Sequence, residues 1–132
     1  MAKRILIVDD DPDTVTYLST WLEDHGYETF SASCGESGLE AILEHRPHLV
    51  LMDLKMPNRT GVQLYKEICS LDALAGLPVV IITGMTEFKL YGEGCVPLPA
   101  PAARLDKPPD LETLQQVIRQ ALGNYGTSPQ GF

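Results

Sequence analysis

Three short runs of consecutive apolar residues, ILIV at 5–8, LVLM at 49–52 and VVII at 79–82, constrain this chain more than any other feature. None alternates with polar residues, so a strand made from any of them stays out of water only if both faces are covered. Between the runs the apolar spacing turns helical: Val15, Leu18 and Leu22, then Leu39, Ile42 and Leu43, then Val62, Tyr65 and Cys69, and finally Leu111, Leu114 and Ile118. Strand alternates with helix, which predicts βαβ units, a parallel sheet and an α/β fold. A length of 132 residues suits one domain with one core.

Local signals set the boundaries. Asp11 followed by Pro12 reads as a cap and first-turn proline, and Gly26 closes that helix. YETFSA at 27–32 alternates and predicts an edge strand. Pro47 stops the second helix, Pro78 marks the entry to the VVII strand, and Asp110 caps the last helix. From 85 to 101 the chain reads MTEFKLYGEGCVPLPAP, and each proline inside a helix there would cost about 3 kcal/mol. A helical turn or two at 86–91 is the most it supports, and beyond that extended, partly polyproline-like chain leading into a short fifth strand near 102–106 is expected. The tail at 124–132, NYGTSPQGF in sequence, is expected to fray, leaving 1–123 as the domain.

Charge narrows the partners. Eighteen Asp and Glu against ten Lys and Arg give a formal charge of −8, which repels phosphate backbones and anionic lipid and argues against direct nucleic-acid binding. Cys34, Cys69 and Cys95 are widely separated and odd in number, so neither a disulfide framework nor a zinc site is indicated, and they read as small, mostly buried hydrophobes. The four apolar residues before Asp9 are too few for a signal peptide, and no later stretch approaches a membrane span; a soluble, cytoplasmic protein is the expectation. His25, His45 and His48 lack metal-ligand spacing and are expected in solvent, while Tyr17 and Trp21 read as packing or partly exposed helix residues.

Parallel strands place their carboxyl ends along one edge, where ligands of such sheets bind. At those ends lie Asp9 and Asp10, Asp53, Thr83 and Lys107. Asp11 serves as a helix cap, but the other three acids cannot all do so. Three carboxylates in one crevice repel unless a cation sits among them, and a hard divalent ion such as Mg²⁺ fits oxygen ligands. A carboxylate beside Mg²⁺ can attack phosphorus, with Lys107 as the second cation and the Thr83 hydroxyl as a hydrogen-bonding reporter of phosphate.

ILIVDDDP at 5–12, LVLMDLKMPNRTG at 49–61, VVIITG at 79–84 and LDKPP at 105–109 together resemble the receiver family of response regulators in two-component signalling, chemotaxis-regulator-like, over roughly residues 3–123. The resemblance implies a doubly wound five-stranded parallel sheet of flavodoxin-like order 2-1-3-4-5. It implies that Asp53 is the phosphoacceptor, that Asp10, Asp53 and the Lys55 backbone carbonyl hold Mg²⁺ with help from Asp9, and that Lys107 contacts the phosphoryl group. Thr83 is then the switch residue, Pro57 and Gly61 shape the loop after the acceptor strand, Lys55 and Met85 tune phosphate lifetime, and the Lys107–Pro108 peptide is cis. The implied partners are a sensor histidine kinase and a downstream protein target. Two positions depart from the pattern: Arg104 stands where the family carries an aromatic residue, and 85–101 replaces the fourth helix with an atypical or broken one. Phosphorylation is accordingly expected to order or move residues 85–104.

Two other readings compete. DPDTV at 11–15 fits the motif of haloacid dehalogenase-type phosphatases, but it starts two residues beyond the strand end and puts Asp13 inside a helix. A pseudo-receiver that keeps the fold without taking phosphate is the third. No effector sequence follows residue 123, so the expectation is a stand-alone receiver or a piece of a longer chain.

Overall fold

A computed structural model describes residues 3–53, 61–74, 76–84, 102–107 and 109–124, with backbone only for 61, 62 and 124. The elements run β1 (Arg4–Val8), α1 (Pro12–Asp24), β2 (Glu28–Ala32), α2 (Gly35–His45), β3 (Leu49–Met52), α3 (Gly61–Ser70), a 3₁₀ turn (Asp72–Leu74), β4 (Val79–Thr83), β5 (Ala103–Asp106) and α4 (Leu111–Asn124). The five strands form one sheet in the order β2-β1-β3-β4-β5, every neighbouring pair parallel. This is the expected doubly wound order. The region of the anticipated broken helix, 85–101, lies outside the described residues, as do Pro108 with its cis peptide and the tail from 125.

The strand runs are unalternated because both faces are covered, and the pleat divides each run between two cores. Leu6 and Val8, Val50 and Met52, and Val79 and Ile81 pack with Ile42 of α2 and Leu64, Tyr65 and Ile68 of α3. Ile5 and Ile7, Leu49 and Leu51, and Val80 and Ile82 pack on the other face with Leu18 and Leu22 of α1 and Leu114, Ile118 and Leu122 of α4. Nearly all of these side chains are fully excluded from water. Gly38 lets α2 come close to the sheet: a Cβ there would lie 2.9 Å from Leu64 Cδ2 and 3.3 Å from Val8 Cγ1.

The caps follow the sequence signals. The Asp11 carboxylate accepts the Asp13 N–H at 3.1 Å and the Thr14 hydroxyl at 2.8 Å. Asp110 does the same for Thr113 through its N–H (3.1 Å) and hydroxyl (2.7 Å). Several helix faces differ from the expected ones. The buried stripe of α3 is Leu64, Tyr65 and Ile68, which leaves Cys69 exposed one position beyond it. Leu43 is likewise 45% exposed, its place in α2 taken by Gly35, Gly38 and Ile42. Cys34 is half-buried at the start of α2, with its Sγ 3.3 Å from Ser37 Oγ, and Cys95 lies outside the described residues. None of the three histidines is simply solvated: His25, though exposed, has its Nδ1 2.8 Å from Trp21 O, His45 stacks on Phe30 with ring centroids 4.1 Å apart, and His48 Nδ1 accepts the Arg4 backbone N–H at 3.0 Å. Among the described residues no helix is long and apolar enough to cross a membrane.

Candidate acidic site at the carboxyl edge of the sheet

Strand register assembles the site. Val8 pairs with Met52, so Asp9 and Asp53 emerge side by side, and the Asp53 N–H donates to Val8 O at 2.9 Å. Thr83 pairs with Asp106, and the next residue, Lys107, donates its N–H to Thr83 O at 3.1 Å. The Asp9 N–H in turn donates to Ala32 O at 3.0 Å. Asp9, Asp53 and Lys107 thus each sit one step past their own strands, where these hydrogen bonds fix the backbone, and Thr83 is the last residue of β4. In sequence parity Asp9, Asp53 and Lys107 continue the rows Ile5–Ile7, Leu49–Leu51 and Ala103–Leu105, which share the α1/α4 face. Thr83 continues the opposite row, Val79–Ile81.

The Lys107 ammonium lies 2.7 Å from Asp9 Oδ2 and donates a hydrogen bond to Asp53 Oδ2 at 3.0 Å. Asp9 is 4% exposed and Asp53 8%, so both carboxylates are taken largely out of water, and Thr83 is fully buried beside them. Asp9 Oδ1 also accepts the Asp11 N–H at 2.9 Å. Burial raises the Asp9 carboxyl above the usual aspartate range, and the Lys107 and Asp11 hydrogen bonds reduce that rise without cancelling it. For Lys107, burial acts downward, but the two carboxylates outweigh it and hold the ammonium above the ordinary lysine range. Asp10, exposed at the rim, completes a set in which one carboxylate oxygen each from Asp9, Asp10 and Asp53 lie within 4.8 Å of one another. One ammonium against three carboxylates leaves two negative charges uncompensated. That deficit and the all-oxygen donor set fit a hard divalent cation.

Residues 5–119 match the family model described as the response regulator receiver domain. The chain belongs to that family. It is 34% identical over 123 residues to the protein PilH of Pseudomonas aeruginosa, covering 90% of this chain and 97% of PilH. It is 30% identical over 125 residues to the protein Rrf1 of Nitratidesulfovibrio vulgaris, covering 95% and 86% of the two chains. Among solved structures it resembles a CheY-like response regulator receiver domain protein from Methanospirillum hungatei, with a TM-score of 0.78 and 28% identity over 92% of this chain and 94% of that one.

Of the site residues expected in this receiver, the structure brings Asp9, Asp10, Asp53, Thr83 and Lys107 to the same edge. Lys55 lies outside the described residues, as do Met56, Pro57 and Met85. The direct Asp9–Lys107 ion pair is not something the sequence reading anticipates, since it reserves Lys107 for a phosphoryl group. Also unanticipated is a cleft of about 620 Å³ beside the acids, bordered by Thr16, Ser31, Ser33 and Ser37. Its only sequence signal is the run of small hydroxyl residues around the end of β2. The phosphatase reading of DPDTV loses its nucleophile: the Asp11 carboxylate is engaged as the cap of α1, and Asp13 lies within that helix.

Proposed function

We propose that this receiver accepts a phosphoryl group on Asp53 from a sensor histidine kinase, in a Mg²⁺-dependent reaction, and thereby switches its binding to a downstream protein target. The observation that supports this best is the Lys107 ammonium 3.0 Å from Asp53 Oδ2 in a pocket that still carries two unbalanced negative charges. In the transfer an Asp53 carboxylate oxygen attacks phosphorus, the bond from phosphorus to the donor imidazole nitrogen breaks, and that nitrogen keeps the electron pair. Lys107 then has its ammonium free to neutralise the phosphoryl oxygens, exchanging a carboxylate partner for a phosphate one.

Asp9, Asp10 and Asp53, with the Lys55 carbonyl, would hold Mg²⁺. When bound, that ion supplies a compact double charge that balances the acids and the incoming oxygens. The Thr83 hydroxyl hydrogen-bonds the phosphoryl group and carries its presence to the neighbouring segment, 85–104. Reversal is hydrolytic: water attacks phosphorus, the acyl oxygen of Asp53 leaves as carboxylate, and inorganic phosphate departs. The chain is a switch whose self-catalysed steps set its lifetime, not a turnover enzyme. Residues 1–123 form the signalling unit and 124–132 a tail, and the net charge of −8 directs its contacts to proteins rather than to nucleic acid.

Incubation with acetyl phosphate and Mg²⁺, followed by intact-mass measurement, tests the proposal. Wild type gains one phosphoryl group and Asp53→Asn gains none. No gain in wild type would overturn the reading and leave the pseudo-receiver.

A further inference from the structure

The opposite, amino edge of the sheet carries a second constellation. Arg4 opens β1, Arg46 follows α2 and His48 precedes β3. They border a cavity of about 350 Å³ whose apolar side is formed by Ile42, Leu74 and Leu77, within the size range of small-ligand pockets. Among the described residues no Asp or Glu lines it. In a chain with eighteen acids and ten Lys and Arg, two guanidinium groups around one acid-free cavity run against the overall charge.

The donors are held in place. Arg4 Nε donates to His45 O at 3.0 Å and Nη2 to Arg46 O at 2.7 Å, which locks its guanidinium across the last carbonyls of α2. The Arg46 Nε donates to Leu43 O at 3.2 Å. Because His48 Nδ1 accepts the Arg4 N–H, the neutral ring carries its proton on Nε2 as a donor. Burial, then the charges of Arg4 and Lys3, lower the His48 pKa and keep the ring neutral at pH 7. Capping of α2 accounts for Arg4. Arg46 joins that cap through its Nε and Leu43 O, yet its backbone adopts the left-handed conformation with φ 51° and ψ 61°, the one non-glycine residue with positive φ among the described residues. A glycine there would satisfy the chain at less cost.

We infer that this cavity binds a small organic oxyanion, a carboxylate or phosphate-type group bearing one apolar substituent. Arg46 engages the anion with the two-pronged end of its guanidinium, Arg4, whose Nε and Nη2 hold the α2 carbonyls, adds its charge, His48 Nε2–H adds a donor, and the substituent covers Ile42, Leu74 and Leu77. The site is separated from the acidic edge by the length of a five-residue strand, roughly 15 Å, and is independent of the chemistry proposed there.

Amide NMR titration of the full chain in metal-free buffer, with phenylphosphonate as probe, tests it. Saturable shifts are expected at residues 4, 46, 48, 74 and 77, with a dissociation constant around 1 mM or tighter. Inorganic phosphate binds about tenfold more weakly because it leaves the apolar side uncovered, and benzyl alcohol does not bind. Arg46→Gly keeps or raises the melting temperature, since glycine suits the left-handed backbone, and weakens phenylphosphonate at least about tenfold. Absence of saturable shifts, shifts centred on residues 9 and 53, equal binding of benzyl alcohol, or full affinity in Arg46→Gly would each overturn the proposal.

Discussion

Lys107→Met isolates the electrostatics of the acidic edge. It removes the ammonium that lies 2.7 Å from Asp9 and 3.0 Å from Asp53 while keeping most of the side-chain volume. Deleting one partner of a fully buried ion pair costs about 3–5 kcal/mol because the remaining charge is stranded. Here the lysine side chain is 23% exposed, so water recovers part of that, and roughly 2 kcal/mol is expected in metal-free buffer. For a domain of this size that is a fall of about 7 °C in melting temperature. Mg²⁺ affinity moves the other way. The formal charge of the cluster deepens from −2 to −3, and one unit charge acting on a divalent ion over the 4.8 Å span of the carboxylate oxygens is worth about 2 kcal/mol even at the dielectric constant of water. The variant should therefore bind Mg²⁺ at least about tenfold more tightly. Calorimetric titration with Mg²⁺ and melting with and without the ion provide the measurements: the variant is less stable than wild type without Mg²⁺ and gains more from it. An unchanged or weaker Mg²⁺ affinity, or no loss of stability without metal, would refute the electrostatic account of this pocket.

Other perturbations probe different links of the same chain of causes. Gly38→Val forces α2 off Leu64 and Val8 and should destabilise by about 1–3 kcal/mol in urea unfolding, whereas an exposed glycine such as Gly123 should tolerate alanine with no loss. The Asp9 carboxyl is raised, so its contribution to stability is present below the unfolded aspartate range and fades as pH rises through its higher folded value; Asp9→Asn should flatten metal-free stability against pH above about 4. Asp11 and Asp110 have the opposite sign. Held low by hydrogen bonds from Thr14 and Thr113 and their caps, they contribute above the unfolded value and lose that contribution as pH falls through the folded one, so Asp11→Asn with Asp110→Asn should unfold less steeply in acid. Thr83→Ala should still gain mass from acetyl phosphate while losing the phosphate-dependent change in hydrogen exchange at 85–104.

What the sequence determined by itself was the set of elements and the inventory of the site. Unbroken apolar runs require cover on two faces, caps and prolines mark the boundaries, and acids at the ends of the first and third strands, with Thr83 and Lys107 at the ends of the fourth and fifth, predict one polar edge. These are local or nearest-neighbour properties, and one dimension suffices to express them. Tertiary structure decided which face each side chain joins and which site groups touch. The runs give Ile7 and Leu6 equal hydrophobicity, and only the parallel register assigns one to the α1/α4 core and the other to the α2/α3 core. For α3 the sequence offered Val62, Tyr65 and Cys69 as a stripe. The closeness that Gly38 grants to Leu64 shows where the helix contacts the sheet and α2, and Cys69 lies outside that contact. The pairing of Lys107 with Asp9, like the gathering of Arg4, Arg46 and His48 at the far edge, depends on residues more than forty positions apart being brought together by strand register. No spacing rule reaches that far, because the distance between two side chains on different strands is set by the ladder and not by the chain between them.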